Sequence, residues 1–338
     1  MRNGIVALII GAVVVGSAVG LYCYGEREIK IKGSKGVMGT YAEVIVVTQS
    51  RERGAAEGAI EDAFEEMDRV NNLFSRHDPA SPLSILNDNN EVNRSYFDEN
   101  KEKYGENGWG EFTWVLNQSI NLYELTDSAF DITIKPILDL YHNGISPTQE
   151  EINHTLEYVN IDGVKISDDN VKIRGGMGLT LDGIAKGYGV DKASEVLTQR
   201  GFRDHSVEIG GEVKCSGLLK GEKWKVGVVD PSEPDSTYKT IEISDLSVAT
   251  SGQYYQWHII NPKTGLYVEG SGSVTIMGQN CTYCDALATA LFVLGFDEGV
   301  DNALEVINNF EGFDCFIILD NRTVSSPGLQ SPPFLPSV

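Results

Sequence analysis

The chain has 338 residues, 41% of them hydrophobic and 22% charged, enough to bury a sizeable core in one large domain or two joined lobes. Its 27 Lys+Arg against 49 Asp+Glu leave a net charge of −22, a surface that repels a phosphate backbone and argues against a nucleic-acid partner. Any phosphate group on a ligand must be held locally, by a metal ion or by backbone amides.

Residues Ile5 to Cys23 form an uncharged, largely apolar run of bilayer-spanning length at the extreme N-terminus. Residues 1–25 therefore read as an uncleaved signal anchor that leaves the rest of the chain outside the cytoplasm. The bulky pair Leu21-Tyr22 argues against a lipid on Cys23. Arg27, Lys30, Lys32 and Lys35 follow the run and count the other way under the positive-inside rule. Residues 26–36 read as a linker, and Met38 to Val47 alternates and is β-branched, as a strand does.

Ile60, Ala63, Phe64, Met67, Val70, Leu73 and Phe74 recur at helical spacing and predict an amphipathic helix ending near Ser75. The polar, glycine-dotted stretch from Asn87 to Gly110 reads as a long surface loop. Helices are expected at Phe112–Leu125, from a capping box at Ser146-Pro147-Thr148-Gln149 to about Tyr158, and at Ala185–Gln199.

Short strands follow at Ser206–Ile209, Val213–Ser216, Lys225–Val229, Lys239–Ile243, His258–Ile260 and Ser273–Met277. After them come an apolar helix carrying Asp285, a helix at Val300–Asn308 and a strand at Asp314–Leu319. Residues 325–338 form a Ser/Pro-rich tail expected to lack structure. Helices and antiparallel-looking strands without a regular alternation predict an α+β fold. The cysteines Cys23, Cys215, Cys281, Cys284 and Cys315 are too scattered for a disulfide framework. The lone Cys281-x-x-Cys284 lacks a nearby His, which argues against zinc; both read as buried small residues, or as a small disulfide.

Several segments carry candidate chemistry. In Cys284-Asp285-Ala286-Leu287-Ala288-Thr289, a helix stacks the Asp285 and Thr289 oxygens one turn apart, a pair suited to a hard cation such as Mg²⁺. Taken alone, the same residues also fit an Asp near a helix start and a Thr bonded back to a carbonyl. Leu181-Asp182-Gly183-Ile184-Ala185-Lys186-Gly187-Tyr188-Gly189 is a glycine-rich helix entry whose free amides favour an anion, with Lys186 able to neutralise a diphosphate. Glu208-Ile209-Gly210-Gly211-Glu212 is a tight turn that approaches a ligand only if it faces a cleft. Asp131, in Ala129-Phe130-Asp131-Ile132-Thr133, can cap a helix or accept hydrogen bonds from a heterocycle. His258 can act as a general base or as a structural histidine.

In this order the pieces closely resemble the ApbE family, the FAD:protein FMN transferases. They are Met38-Gly39-Thr40, Ser75 and Ser81 through Asn87, Phe130-Asp131 with Pro136, and Asp182 to Gly187 with Asp191. Gly210-Gly211, Thr250 to Tyr254, His258 with Pro262 and Gly265, and Asp285 to Thr289 complete the set, across about residues 37 to 296. The resemblance implies a T-fold-type α+β domain over 37–324, with mixed and antiparallel sheets, packed helices and a cleft between lobes for FAD. The activity it implies is Mg²⁺-dependent transfer of FMN from FAD to a Thr or Ser hydroxyl of an acceptor flavoprotein, with release of AMP. It places Mg²⁺ on Asp285, Thr289 and the carbonyl of Ala185, and FAD on Met38, Ala129, Phe130, Asp131, Asp182, Lys186, Tyr188 and Ile259. His258 is the candidate base. His77 stands where the family often has a tyrosine and offers a ring for stacking. The same site with water as acceptor would be an FAD pyrophosphatase, and without catalysis a membrane-tethered flavin-binding protein. The implied partner is a subunit of an exported or membrane redox complex.

Overall fold

The computed structural model describes residues 27–142, 146–233, 235–253, 258–319 and 322–329. The anchor expected in residues 1–25 lies outside the described residues; among those described, no helix is long and apolar enough to cross a membrane. The strands are β1 (Glu28–Val37), β2 (Thr40–Gln49), β3 (Glu91–Asn93), β4 (Val164–Ile166), β5 (Asn170–Ile173), β6 (His205–Ile209), β7 (Glu212–Ser216), β8 (Trp224–Val229), β9 (Thr237–Ile243), β10 (Leu246–Gln253), β11 (Gly272–Gly278), β12 (Asp314–Leu319) and β13 (Arg322–Ser325). The helices are α1 (Arg53–Phe74), α2 (Pro82–Asn89), α3 (Arg94–Glu99), α4 (Lys101–Tyr104), α5 (Gly108–Leu125), α6 (Lys135–His142), α7 (Gln149–Leu156), α8 (Ala185–Gln199), α9 (Cys281–Val293) and α10 (Val300–Ile307).

An eight-stranded antiparallel sheet in the order β1-β2-β6-β7-β10-β11-β12-β13 organises the fold, with β3-β5-β4 as a small second sheet and β8-β9 as a separate ribbon. Both faces of the large sheet are covered, which is why β2 reads as a nearly continuous apolar run. Ala42, Val44 and Val46 pack under α1 and α8, whereas Ile45 and Val47 pack against Trp224, Val228 and Ile241 of the ribbon. Helix α1 lies along α8, and α8 along α9, so the three form one layer on the sheet.

Several expectations change. The supposed linker is strand β1, paired along its length with β2 from Glu28↔Gln49 to Val37↔Thr40. Met38 is not in a strand; with φ of +52° at Met38 and +72° at Gly39, the two form the tight turn of that hairpin. The Asn87–Gly110 stretch is not a surface loop, because Val92, Phe97 and Tyr104 bury completely or nearly so against Phe112 and Leu116. These anchors are spaced across short elements, so no helical or strand period announces them. The capping box sits two residues later than expected: Thr148 accepts from Glu151 N, and the Glu151 carboxylate accepts from Thr148 N at 2.7 Å.

The segment at His258–Ile260 makes a single bridge, Ile260↔Tyr267, rather than a strand, while the preceding residues Leu246–Gln253 form β10. Cys215, Cys281, Cys284 and Cys315 are free and buried. The tail expected from 325 begins with order, since Ser325 ends β13 and the buried Ser326 accepts from Cys315 N at 3.0 Å.

His205 is fully buried between α8 and the sheet: its Nδ1–H donates to Phe202 O at 2.8 Å, leaving Nε2 to accept the Ser194 hydroxyl at 2.7 Å. Burial holds its pKa below the ordinary value. Below about pH 6.5 the unfolded chain binds a proton there that the folded chain refuses, so stability falls as pH drops through that range. Urea unfolding between pH 7.5 and 5 should show this loss, and His205→Gln should flatten it.

Candidate active site

A cavity of about 550 Å³ opens where the start of α8, the face of α9, the β6–β7 turn and the end of β10 converge. Asp285 and Thr289 project from one face of α9, one turn apart, and both line it. Asp285 is only 2% exposed; its Oδ2 accepts the Gly187 N–H at 2.9 Å, and its Oδ1 lies 3.4 Å from Lys186 Nζ. Lys186 also reaches Glu212 Oε1 at 3.1 Å. The second oxygen of Glu212, a residue of the cavity lining, is buried with no hydrogen-bond partner among the described residues.

Burial, then the charge of Asp285, push the Glu212 pKa well above the usual carboxylate range, with Lys186 pulling against them. For Lys186, burial works to lower the pKa, but Asp285 and Glu212 outweigh it and hold the ammonium charged. Beside this trio, Ser251 Oγ and Thr289 Oγ1 stand 3.1 Å apart. The donor set is all hard oxygen, which suits a small divalent cation. Among the described residues no group of three or more His, Cys, Asp or Glu forms a metal cage. A cation here would thus take part of its coordination from the oxygens of a ligand.

Two devices set this geometry. Gly187 lets α8 and α9 touch: a Cβ there would stand 2.3 Å from the Cys281 carbonyl oxygen and 2.8 Å from Asp285 Cβ. Asp191, one turn further along α8, caps α9 from outside. It accepts Cys281 N at 3.1 Å, Thr282 N at 2.9 Å and Thr282 Oγ1 at 2.8 Å, and it binds Lys214 Nζ at 2.6 Å.

The opposite wall comes from Ala129, Phe130 and Asp131. Asp131 Oδ1 caps the turn Ile132–Ile134, accepting Thr133 N at 2.7 Å and its hydroxyl at 2.6 Å, and burial raises its pKa. Asp182 is held by Arg76 at 2.8 Å. His258 and Ile259 line the rim, their amides donating to Gln253 Oε1 at 2.8 and 3.3 Å, while Gln253 Nε2 donates to Val268 O at 2.7 Å.

Of the expected residues, Ala129, Phe130, Asp131, Asp182, Lys186, His258, Ile259, Asp285 and Thr289 thus share one cavity. Ala185 starts α8, buried between the lining residues Gly183 and Lys186. Met38, Tyr188 and His77 lie away from the wall. Met38 sits in the β1–β2 turn with its sulfur toward Gly189. Tyr188 is two residues beyond Lys186, about 200° around the helix, and its ring meets Phe74 and Trp114 instead. His77 is exposed, because Ser75 Oγ accepts the amides of His77 and Asp78 and bends the chain so that Arg76 turns inward. Sequence reading did not single out Arg76, Glu212 or Ser251 as site residues. For Glu212 the signal was the Gly210-Gly211 turn before it, and for Ser251 the Thr-Ser-Gly run.

A mixed α+β domain whose cavity gathers carboxylate and hydroxyl oxygens around one lysine is what the ApbE family shares with this chain. The sequence profile of the ApbE family matches residues 38–317, and the chain belongs to that family. A FAD:protein FMN transferase of Vibrio cholerae is 34% identical over 209 residues, 55% of this chain and 61% of that protein. A FAD:protein FMN transferase of Haemophilus influenzae is 28% identical over 321 residues, 88% of this chain and 90% of that protein. The solved flavin transferase ApbE from Vibrio cholerae superposes with a TM-score of 0.75 at 25% identity, covering 91% of this chain and 100% of that one.

Gly187→Ala should cost about 1–3 kcal/mol in urea unfolding, because it collides with backbone that cannot move away. Gly189→Ala should be near neutral: its Cβ would stand 3.1 Å from Ile209 Cδ1 and 3.3 Å from Met38 Sδ, side-chain ends that can give way, with Val70 Cγ1 at an ordinary 3.8 Å, and the gain in helix propensity of up to about 1 kcal/mol offsets that. Equal losses in the two variants would refute the close-contact argument.

Proposed function

We propose that this protein is a Mg²⁺-dependent FAD:protein FMN transferase that places FMN on a Thr or Ser hydroxyl of an acceptor protein and releases AMP. The observation that carries the reading is the convergence of Lys186, Asp285, Glu212, Thr289 and Ser251 in one cavity, in a chain whose curated relatives are named FAD:protein FMN transferases. The acceptor hydroxyl oxygen bonds to the phosphorus of the FMN half as the bond to the AMP oxygen breaks. The hydroxyl proton passes to His258 at the cavity rim. Lys186 offers positive charge to the diphosphate, while Phe130, Asp131 and Asp182 hold the nucleotide along the opposite wall. A Mg²⁺ on Asp285, Thr289 and the Ala185 carbonyl would neutralise charge developing on the departing AMP. In the same reading the apolar run Ile5–Cys23 keeps the domain at the membrane, outside the cytoplasm, where it meets the acceptor subunit of a redox complex.

The test is incubation with FAD, Mg²⁺ and acceptor, read as flavin fluorescence on the denatured acceptor and as AMP release. AMP without labelled acceptor would reassign the protein as an FAD pyrophosphatase. Asp285→Ala should abolish the EDTA-sensitive turnover, and Thr289→Val, which removes one neutral ligand, should reduce it less. Near-normal turnover of Asp285→Ala would remove the metal from this site.

His258→Ala should slow transfer by about two to four decades, the usual worth of a general base, while FAD titration stays unchanged. Unaltered transfer in that variant would assign the proton elsewhere.

A further inference from the structure

The transferase reading leaves open how a whole protein presents its hydroxyl to an enclosed site. We propose that the acceptor docks as an extended segment along the free edge of β8, in a groove on the ribbon side of the large sheet; this rests on that reading. The groove has a volume of about 630 Å³ and runs between β8 and the outer face of the sheet. Its wall is Lys223 with Trp224, Lys225, Val226, Gly227 and Val229 of β8, and Ile45, Val213 and Val248 form its floor. Among the described residues β8 pairs with β9 on one side only, so alternate N–H and C=O groups of its other edge face the groove. An added strand satisfies such groups, and half-buried Val226 and Val213 offer apolar seats for its alternate side chains.

The groove adjoins the catalytic cavity, with Gly210 and Thr250 in the lining of both. Strand β10 carries the connection. Thr250 bonds Thr275 across the sheet at 2.9 Å, and the next residue, Ser251, points to the other face and reaches Thr289. The Gly210-Gly211 turn presents no side chain at the junction, and a Cβ on Gly211 would meet nothing within 4 Å. A residue entering here passes from groove to cavity over bare backbone. Six residues of edge span about 20 Å, room for a segment of similar length.

A second copy of this chain is the poorer occupant. Lys223, Lys225 and the register shift at Val228/Val229 are features that stop an edge from pairing indiscriminately, and a net charge of −22 repels a like surface.

The experiment uses the full chain, FAD, Mg²⁺ and the acceptor protein. Val226→Arg places a long charged side chain in the groove at a half-buried position. It should raise the acceptor KM at least tenfold, with kcat and acceptor-independent AMP release within about threefold of the parent. An unchanged acceptor KM in the folded variant overturns the proposal. A second measurement does not depend on that variant: Val226→Cys in a Cys23→Ser background, alkylated with a maleimide, since the other four cysteines are buried. Acceptor should slow alkylation at least fivefold. If parent enzyme labels the acceptor but alkylation is not slowed, docking fails and the transferase reading stands. If alkylation is slowed but no label appears, docking stands and that reading fails. Protection without acceptor, lost on removing residues 330–338 or on dilution, gives the groove to the chain's own tail or to a second copy and overturns the proposal.

Discussion

The Asp191 carboxylate is the tie on which the site depends. Nearly buried on α8, it accepts four hydrogen bonds from the first residues of α9 and from Lys214 of β7. A carboxylate taken out of water costs several kcal/mol unless its lone pairs are used, and here they are. The three elements it joins carry Lys186, Glu212 and Asp285, the charged cluster at one end of the cavity. Glu212 lies two positions before Lys214, on the same face of β7, and Asp285 lies one turn after Cys281 on α9. Lys186 precedes Asp191 on α8 by little more than a turn. Fixing one set of contacts therefore fixes the other.

That second set is not arranged for stability. Two buried carboxylates share one ammonium, and one carboxylate oxygen is left without a partner. An unsatisfied buried acceptor costs about 1–3 kcal/mol, which a purely structural core would avoid by using apolar residues. Such an imbalance in a cleft marks a place where a ligand completes the set.

The large sheet separates two tasks. Its inner face packs on α1, α8 and α9, and there Lys186 of α8 and Asp285 and Thr289 of α9 meet Glu212 and Ser251 of the sheet. Its outer face lies under a two-stranded ribbon that buries its own apolar side and keeps an edge open. The strand period of two lets neighbouring residues of β10 serve both sides, Ser251 within and Thr250 without.

The sequence by itself determined the elements with a regular apolar period: α1, α8, α9 and most strands of the large sheet. It also placed Asp285 with Thr289, because a spacing of four on a helix is local geometry that needs no partner. The ordered motifs from Met38 to Thr289 were enough to indicate the ApbE family, which the profile match then showed. Tertiary structure decided the rest. Short elements between Asn87 and Gly110 are held by long-range burial of Phe97 and Tyr104, which leaves no period to read. Tyr188 and Lys186 share a motif but face opposite ways, since two residues turn a helix by about 200°. Glu212 joined the site only because a hairpin turn aims β7 at α8 and α9. Spacing along the chain fixes what neighbours on one helix or strand can do together; which separate elements meet is fixed by packing, and here by the hydrogen bonds of Asp191.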